Sequence, residues 1–430
     1  MLMAKTAGHQ AAAADLVTAM VAVALIVVVA QLLGALLESW GQPRVIGEIL
    51  GGIALGPSLL GALSPSLEAR LFAPAVTDQL NLMGQIGLAL FMFLIGLELK
   101  PELLRGRLPL ASRITSVGVA LPLLLGIGLA LVLQRLQPAL LPGNNSLAGA
   151  LFMGTAMAIT AFPVLARILR DRQLIDQPLG ALTITVAAID DLVSWILMAA
   201  VVAFTRSSSL WGALQPLLLT VLWALLLLVG LAPLRRWLAR HVQRRGAVGP
   251  LLEVCVYSGA LLSGAVTQWI GVHLIFGAFL WGLAMPRQPA FRTHLEGRLQ
   301  GVVLQLMLPL FFAISGLQTR VGGLNRPDLW AVAALVLLVA VAGKFVGTWL
   351  TARLSGVPSR EAQALGWLVN TRGLTELVIL NVGLSLGAIS TNLFTIGVLM
   401  AITTTLMTGP LLGRLGYSRQ KEPRPEPRAT

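Results

Sequence analysis

The sequence predicts an all-α polytopic membrane protein of about thirteen transmembrane helices. Of its 430 residues, 56% are hydrophobic and only 11% charged, and the mean hydropathy is +0.83, far from the usage of a soluble globular chain. Apolar windows recur along the whole length, cut by Pro, Gly and charge clusters. In one of them, Ala187-Ala188-Ile189-Asp190-Asp191-Leu192-Val193-Ser194-Trp195, two adjacent carboxylates interrupt an apolar run from 178 to 204 that is long enough to cross a bilayer.

In chain order the expected spans are 16–37, 45–61, 80–99, 110–133, 147–169, 178–204, 212–232, 250–268, 272–286, 299–317, 328–353, 361–384 and 389–413. With the N-terminus outside, 23 of the 31 basic residues fall in inner loops and the tail. Six, Lys5, Arg70, Arg135, Arg206, Arg320 and Arg326, stay outside. That bias orients the chain N-out and C-in. It also explains the net charge of +13 without a nucleic-acid partner. The expected location is the cell (plasma or inner) membrane, with residues 414–430 as a short cytoplasmic tail and no removable signal peptide. Cys255, the single cysteine, excludes an intrachain disulfide.

The two halves, about 16–204 and 250–413, resemble each other. Phe91-Met92-Phe93-Leu94-Ile95-Gly96-Leu97-Glu98 is echoed by Leu310-Phe311-Phe312-Ala313-Ile314-Ser315-Gly316-Leu317. Gly51-Gly52-Ile53-Ala54-Leu55-Gly56-Pro57 is echoed by Phe279-Leu280-Trp281-Gly282-Leu283-Ala284-Met285-Pro286. Equivalent spans are an odd number apart, so the second copy enters the membrane inverted, as in secondary transporters. Each half also carries one candidate broken helix. Pro163 removes the bond to the Ile159 carbonyl and predicts a break near Thr160. Asn370-Thr371-Arg372-Gly373-Leu374-Thr375-Glu376 clusters polar groups and a glycine inside a span. Unwound backbone at that depth is tolerated only against protein or a cavity.

Few groups remain for chemistry. Asp190 and Asp191 lie about 18–20 Å along their span, near the midplane, where each acid costs about 2.5–3.5 kcal/mol. They point about 100° apart, so their roles differ. Lys344 lies at matching depth, able to pair with one aspartate and to meet the negative end of a half-helix. Arg372 and Glu376 are spaced to pair with each other, either holding the broken helix in shape or taking part directly. Glu98 and Glu48 read as interfacial. His273 is a lone histidine in an outer turn. Asn81 and Gln85 either line a cavity or bond between helices. With no Walker loop, dinucleotide fingerprint or metal-ligand cluster, neither an enzyme nor a cofactor is expected, and energy must come from an ion gradient.

Three motifs together carry a resemblance over nearly all the spans: Thr160-Ala161-Phe162-Pro163-Val164-Leu165-Ala166-Arg167-Ile168-Leu169, the Asp190-Asp191 pair followed by Trp195, and Asn370-Thr371-Arg372-Gly373-Leu374-Thr375-Glu376-Leu377-Val378-Ile379-Leu380-Asn381. They resemble the Kef-type and plant CHX branch of the monovalent cation/proton antiporters. The resemblance implies an inverted-repeat antiporter fold with two crossed, broken helices, a dimer-forming domain and a mobile core of about six helices. It implies Asp191 as carrier of the cation (Na⁺ or K⁺) and the proton, Asp190 as partner of Lys344, and Thr160 as a ligand at the break. It also implies a homodimer and electrogenic exchange. The competing reading is a cation channel or Kef-type efflux system, which the inverted repeat does not favour.

Overall fold

The computed structural model describes residues 2–98, 107–142, 146–174, 177–207, 210–245 and 248–417. The inner-loop residues Lys100 and Arg105, and the tail beyond Tyr417, lie outside the described residues. The first half contains α1 (Leu2–Ser39), α2 (Arg44–Leu55), α3 (Leu60–Leu63), α4 (Pro65–Leu71), α5 (Pro74–Glu98), α6 (Leu108–Leu136), α7 (Ser146–Ala158), α8 (Phe162–Asp171) and α9 (Pro178–Ser207). Then come α10 (Leu210–Leu225) and α11 (Ala232–Arg245). The second half contains α12 (Pro250–Ile270), α13 (Leu274–Ala284), α14 (Pro289–Val302), α15 (Leu308–Leu317), α16 (Pro327–Leu354), α17 (Ser359–Val369), α18 (Leu374–Ser385) and α19 (Thr391–Arg414). The π-helical stretch Val303–Met307 joins α14 to α15 without a break.

Nine helices among the described residues are long and apolar enough to cross a membrane, and a pair bent by 41° between α10 and α11 makes ten. The other three expected spans, 147–169, 272–286 and 361–384, fall on shorter helices. The first and last are each broken in two, and α13 has only 11 residues, about 16 Å of helix. The sequence windows also missed α11 and the start of α14, whose charges hide short helices from a hydropathy reading.

Close helix crossings organise one part of the fold. Where α5 meets α13, a Cβ on Gly96 would stand 3.0 Å from Leu283 N and one on Gly282 would stand 3.0 Å from Leu97 N. Nearer still are the carbonyls of Phe279 and Phe93, each three residues before the opposite glycine. Where α2 meets α15, a Cβ on Gly52 would stand 2.6 Å from Ala313 Cα and one on Gly316 would stand 2.7 Å from Ile53 N. Here the facing carbonyls are those of Ala313 and Ile49, with the same three-residue offset. Only glycine lets backbones approach so closely, and in lipid such packing replaces the hydrophobic drive. Gly52→Leu and Gly282→Leu are each expected to destabilise the fold by at least about 1–3 kcal/mol through overpacking. Gly128→Leu, on α6 with no atom within 4 Å of its Cβ position, should stay within about 0.5 kcal/mol. Denaturation in detergent compares the three, and equal effects would count against the crossings.

Two packing groups result. Helices α1, α2, α5, α12, α13 and α14–α15 pack mainly on one another. The crossings α6, α7–α8, α9, α16, α17–α18 and α19 form a second group; α10 lies on α9 of this group and also reaches α12 of the first, and α15 touches α18. Large apolar side chains exposed on α1, α10 and α16, such as Met20, Leu32, Leu222 and Leu338, suit a lipid environment.

Candidate ion-binding site

The site forms where the two breaks in the second group meet. The first helix ends at Ala158 and restarts at Phe162, as the proline requires; the second ends at Val369 and restarts at Leu374. The unwound segments bond to each other. Ala161 N–H donates to Thr371 O at 3.0 Å, and the Thr160 hydroxyl donates to Val369 O at 2.8 Å. Gly373 permits this approach, since a Cβ there would lie 3.0 Å from Val164 Cγ2 and 3.3 Å from Ala161 Cβ. Thr405 of α19 accepts from Arg372 N–H at 3.0 Å and donates to Arg372 O at 2.6 Å. The freed backbone groups therefore find protein partners, as low-dielectric surroundings demand.

The carbonyls at the end of α7 carry the negative end of that half-helix, and two cations cap them. Arg372 donates from Nη1 to Ala156 O and from Nη2 to Met157 O, both at 2.6 Å. Lys344 Nζ, from the middle of α16, donates to Ala158 O. Each cation also meets a carboxylate: Lys344 Nζ lies 2.9 Å from Asp190 Oδ2, and Arg372 Nη1 lies 3.5 Å from Glu376 Oε2. All four of these charged side chains are buried. Arg372 is not on the helix that carries Glu376, as the sequence spacing suggested. It stands in the unwound segment, which frees its guanidinium to cross to α7.

Asp191 is buried beside these pairs, and among the described residues it has no ion-pair partner. Three carboxylates and two cations share the cluster, and Asp191 is the one left uncompensated. Its Oδ1 lies 3.4 Å from the hydroxyl of Thr375, in the first turn of α18, where unbonded N–H groups and the helix dipole favour an anion. Asp190 Oδ1, Ser194 Oγ, both amide atoms of Asn370 and both Glu376 oxygens have no protein hydrogen-bond partner. Buried polar atoms without a hydrogen bond are thus concentrated around the meeting of the two breaks, where most buried polar groups in a folded protein would be bonded. Among the described residues no cluster of three His, Cys, Asp or Glu suits a multivalent metal.

A cavity of about 480 Å³ opens beside the ends of α12, α15 and α18. Asn81 and Gln85 line it together with Gln268, His273, Gln318 and Asn381, so half the expectation for Asn81 and Gln85 is met by a cavity wall. Val202 on α9 and Val378 on α18 also line it. Val202 shares the helical face of Asp191, and Val378 lies one turn beyond Thr375. Thus the cavity points down towards the breaks. Glu48, in the second turn of α2, is buried against protein, and Glu98 is half-buried and accepts from Gln300 Nε2 at 3.4 Å. Sequence reasoning names Thr375 only as one member of the polar cluster, without its contact to Asp191, and misses Thr405 altogether. Of Pro163, the backbone is described as the start of α8.

Two broken helices meeting around buried charges, fed by a polar cavity, are the architecture of a secondary ion transporter. The chain belongs to the sodium/hydrogen exchanger family, whose transmembrane domain matches residues 11–416. It is 44% identical over 393 residues to the Na⁺/H⁺ antiporter NhaS4 of Synechocystis, an alignment that covers 91% of this chain and 95% of that one. It is 38% identical to cation/H⁺ antiporter 20 of Arabidopsis thaliana and 33% identical to K⁺/H⁺ antiporter 1 of Saccharomyces cerevisiae, over 90% of this chain in each case. The chain spans about half the length of these plant and yeast relatives, 47% and 45%. Among solved structures, the sodium proton antiporter MjNhaP1 of Methanocaldococcus jannaschii superposes with a TM-score of 0.64 at 16% identity, over 94% of this chain and 99% of that one.

Proposed function

We propose that this protein exchanges a monovalent cation, Na⁺ or K⁺, for protons by alternating access, with Asp191 carrying both in turn. The observation that carries the reading is the lone uncompensated carboxylate of Asp191 at the meeting of the two breaks. Carboxylate and neighbouring neutral oxygens are hard ligands suited to a hard, partly dehydrated cation. Thr160 and Asn370 contribute oxygens, Lys344 holds Asp190, and Arg372 with Glu376 keeps the breaks in shape. The α6–α9 and α16–α19 group moves against the other group, and a homodimer in the cell membrane, N-out and C-in, completes the picture. The matched glycine crossings, α5 on α13 and α2 on α15, support an inverted repeat over about 16–204 and 250–413. Transport is electrogenic, so clamping the membrane potential to zero changes its rate.

Competition provides the test. A proton and a cation contend for one carboxylate, so raising pH on the loading side removes the competitor. In proteoliposomes, dissipation of a pH gradient by added Na⁺ or K⁺ should show an apparent cation KM that falls with rising pH and then flattens. The maximal rate should fall at high pH, where the protonated carrier becomes scarce. An apparent KM constant over several pH units would mean separate sites for the two ions.

A further inference from the structure

Trp195 is the largest fully buried side chain among the described residues, and neither the ion pairs nor the broken helices account for its position. It lies one turn beyond Asp191 on the same face of α9, on the side towards the cavity, about 6 Å along the axis. Val202, which lines the cavity, is two turns further on that face. The indole packs edge-on against Phe276 of α13, with ring centroids 6.2 Å apart and planes at 85°. His273, the N-cap residue of α13 three positions before Phe276, is again a wall of the cavity. Along α9, Trp195 therefore stands between Asp191 and the cavity-lining Val202, with the Phe276 ring packed against it. Neither Trp195 nor Asp191 contributes to the cavity wall.

The indole N–H is buried and has no hydrogen-bond partner among the described residues. A buried tryptophan N–H is normally bonded. Trp195 departs from that rule one turn away from a carboxylate that has no counter-ion among the described residues.

We propose that Trp195, seated on Phe276, is the gate that closes the cavity off from Asp191, and that it must turn aside for an ion to pass. The inference rests on Asp191 being the carrier, but access past the indole can be read without any transport. In a Cys255→Ser background, Asp191→Cys reports exposure to a small, membrane-impermeant methanethiosulfonate added on the cavity side. With Trp195 in place, labelling is slow. Trp195→Ala should speed it at least tenfold, whereas Trp195→Phe, which keeps a plug of similar shape, should stay within about threefold of the parent. Phe276→Ala, which leaves all neighbours of Asp191 intact, should give an intermediate rise and covers the case in which Trp195→Ala fails to fold. Fast labelling with Trp195 present, or no acceleration in either folded alanine variant, would overturn the gate. A second readout uses the protein with Asp191 intact. In choline medium free of alkali cation, Trp195→Ala should let an imposed pH gradient decay several-fold faster than wild type. Failure of wild-type exchange with every cation would instead overturn the antiporter reading and leave the labelling result standing.

Discussion

Asp191→Asn is expected to abolish cation-driven proton movement while the protein stays folded. The substitution removes one negative charge from a cluster in which the two other carboxylates each have a cation, so no buried cation is left without its counter-ion. The amide keeps the shape of the side chain and can still accept from the Thr375 hydroxyl. Loss of a midplane charge eases insertion, since the acid costs about 2.5–3.5 kcal/mol there. On the proposed mechanism function should suffer fully, because the cation would lose the carboxylate that carries it and the proton its acceptor. A desolvated ion deprived of its counter-charge loses on the order of 3–5 kcal/mol, a factor of more than ~10² in affinity. The pH-gradient assay in proteoliposomes should therefore fall to the background of empty vesicles for Na⁺ and K⁺ alike. Folded Asp191→Asn protein that exchanges at wild-type rate would remove Asp191 from the mechanism.

How much of this site the sequence made legible depended on contrast. Asp190, Asp191 and Lys344 stand out because ionised groups inside apolar runs have no innocent explanation. Pro163 announces the first break because the ring chemistry is local. The contacts of Thr375 and Thr405 were illegible for the opposite reason. A threonine in a membrane helix usually satisfies its hydroxyl on its own preceding turn, as Thr183, Thr185 and Thr404 do on Leu179, Ala181 and Met400. Nothing local distinguishes them from Thr375, which reaches Asp191, or Thr405, which clasps both backbone groups of Arg372. Arg372 itself was visible, but its reach to α7 was not, because it depends on a second break far away in the chain. The glycines at 52, 96, 282 and 316 were noticed as a repeat, yet their pairing across helices is a tertiary fact.

Lys344→Ala should cost stability before it costs anything else. The Lys344–Asp190 bridge is fully buried, with both side chains at most 1% exposed. Removing the lysine leaves a carboxylate without its cation and the Ala158 carbonyl without its charged cap. Breaking one side of such a pair costs about 3–5 kcal/mol, far more than the pair contributes relative to neutral groups of the same volume. Asp190→Asn combined with Lys344→Met should therefore recover most of the loss, because no buried charge is stranded and the lysine's volume is kept. Asp191 survives in that double variant, and so should cation-dependent proton movement, which separates the structural pair from the carrier. Chemical unfolding in detergent reads the first effect and proteoliposome exchange the second. If Lys344→Ala is as stable as wild type, or if the double variant is no more stable than Lys344→Ala, the bridge is not what holds Asp190 in the membrane. The Arg372–Glu376 pair would then have to be compensating for the charge, and a double-mutant cycle between Lys344 and Glu376 would show coupling of about 0.5–3 kcal/mol.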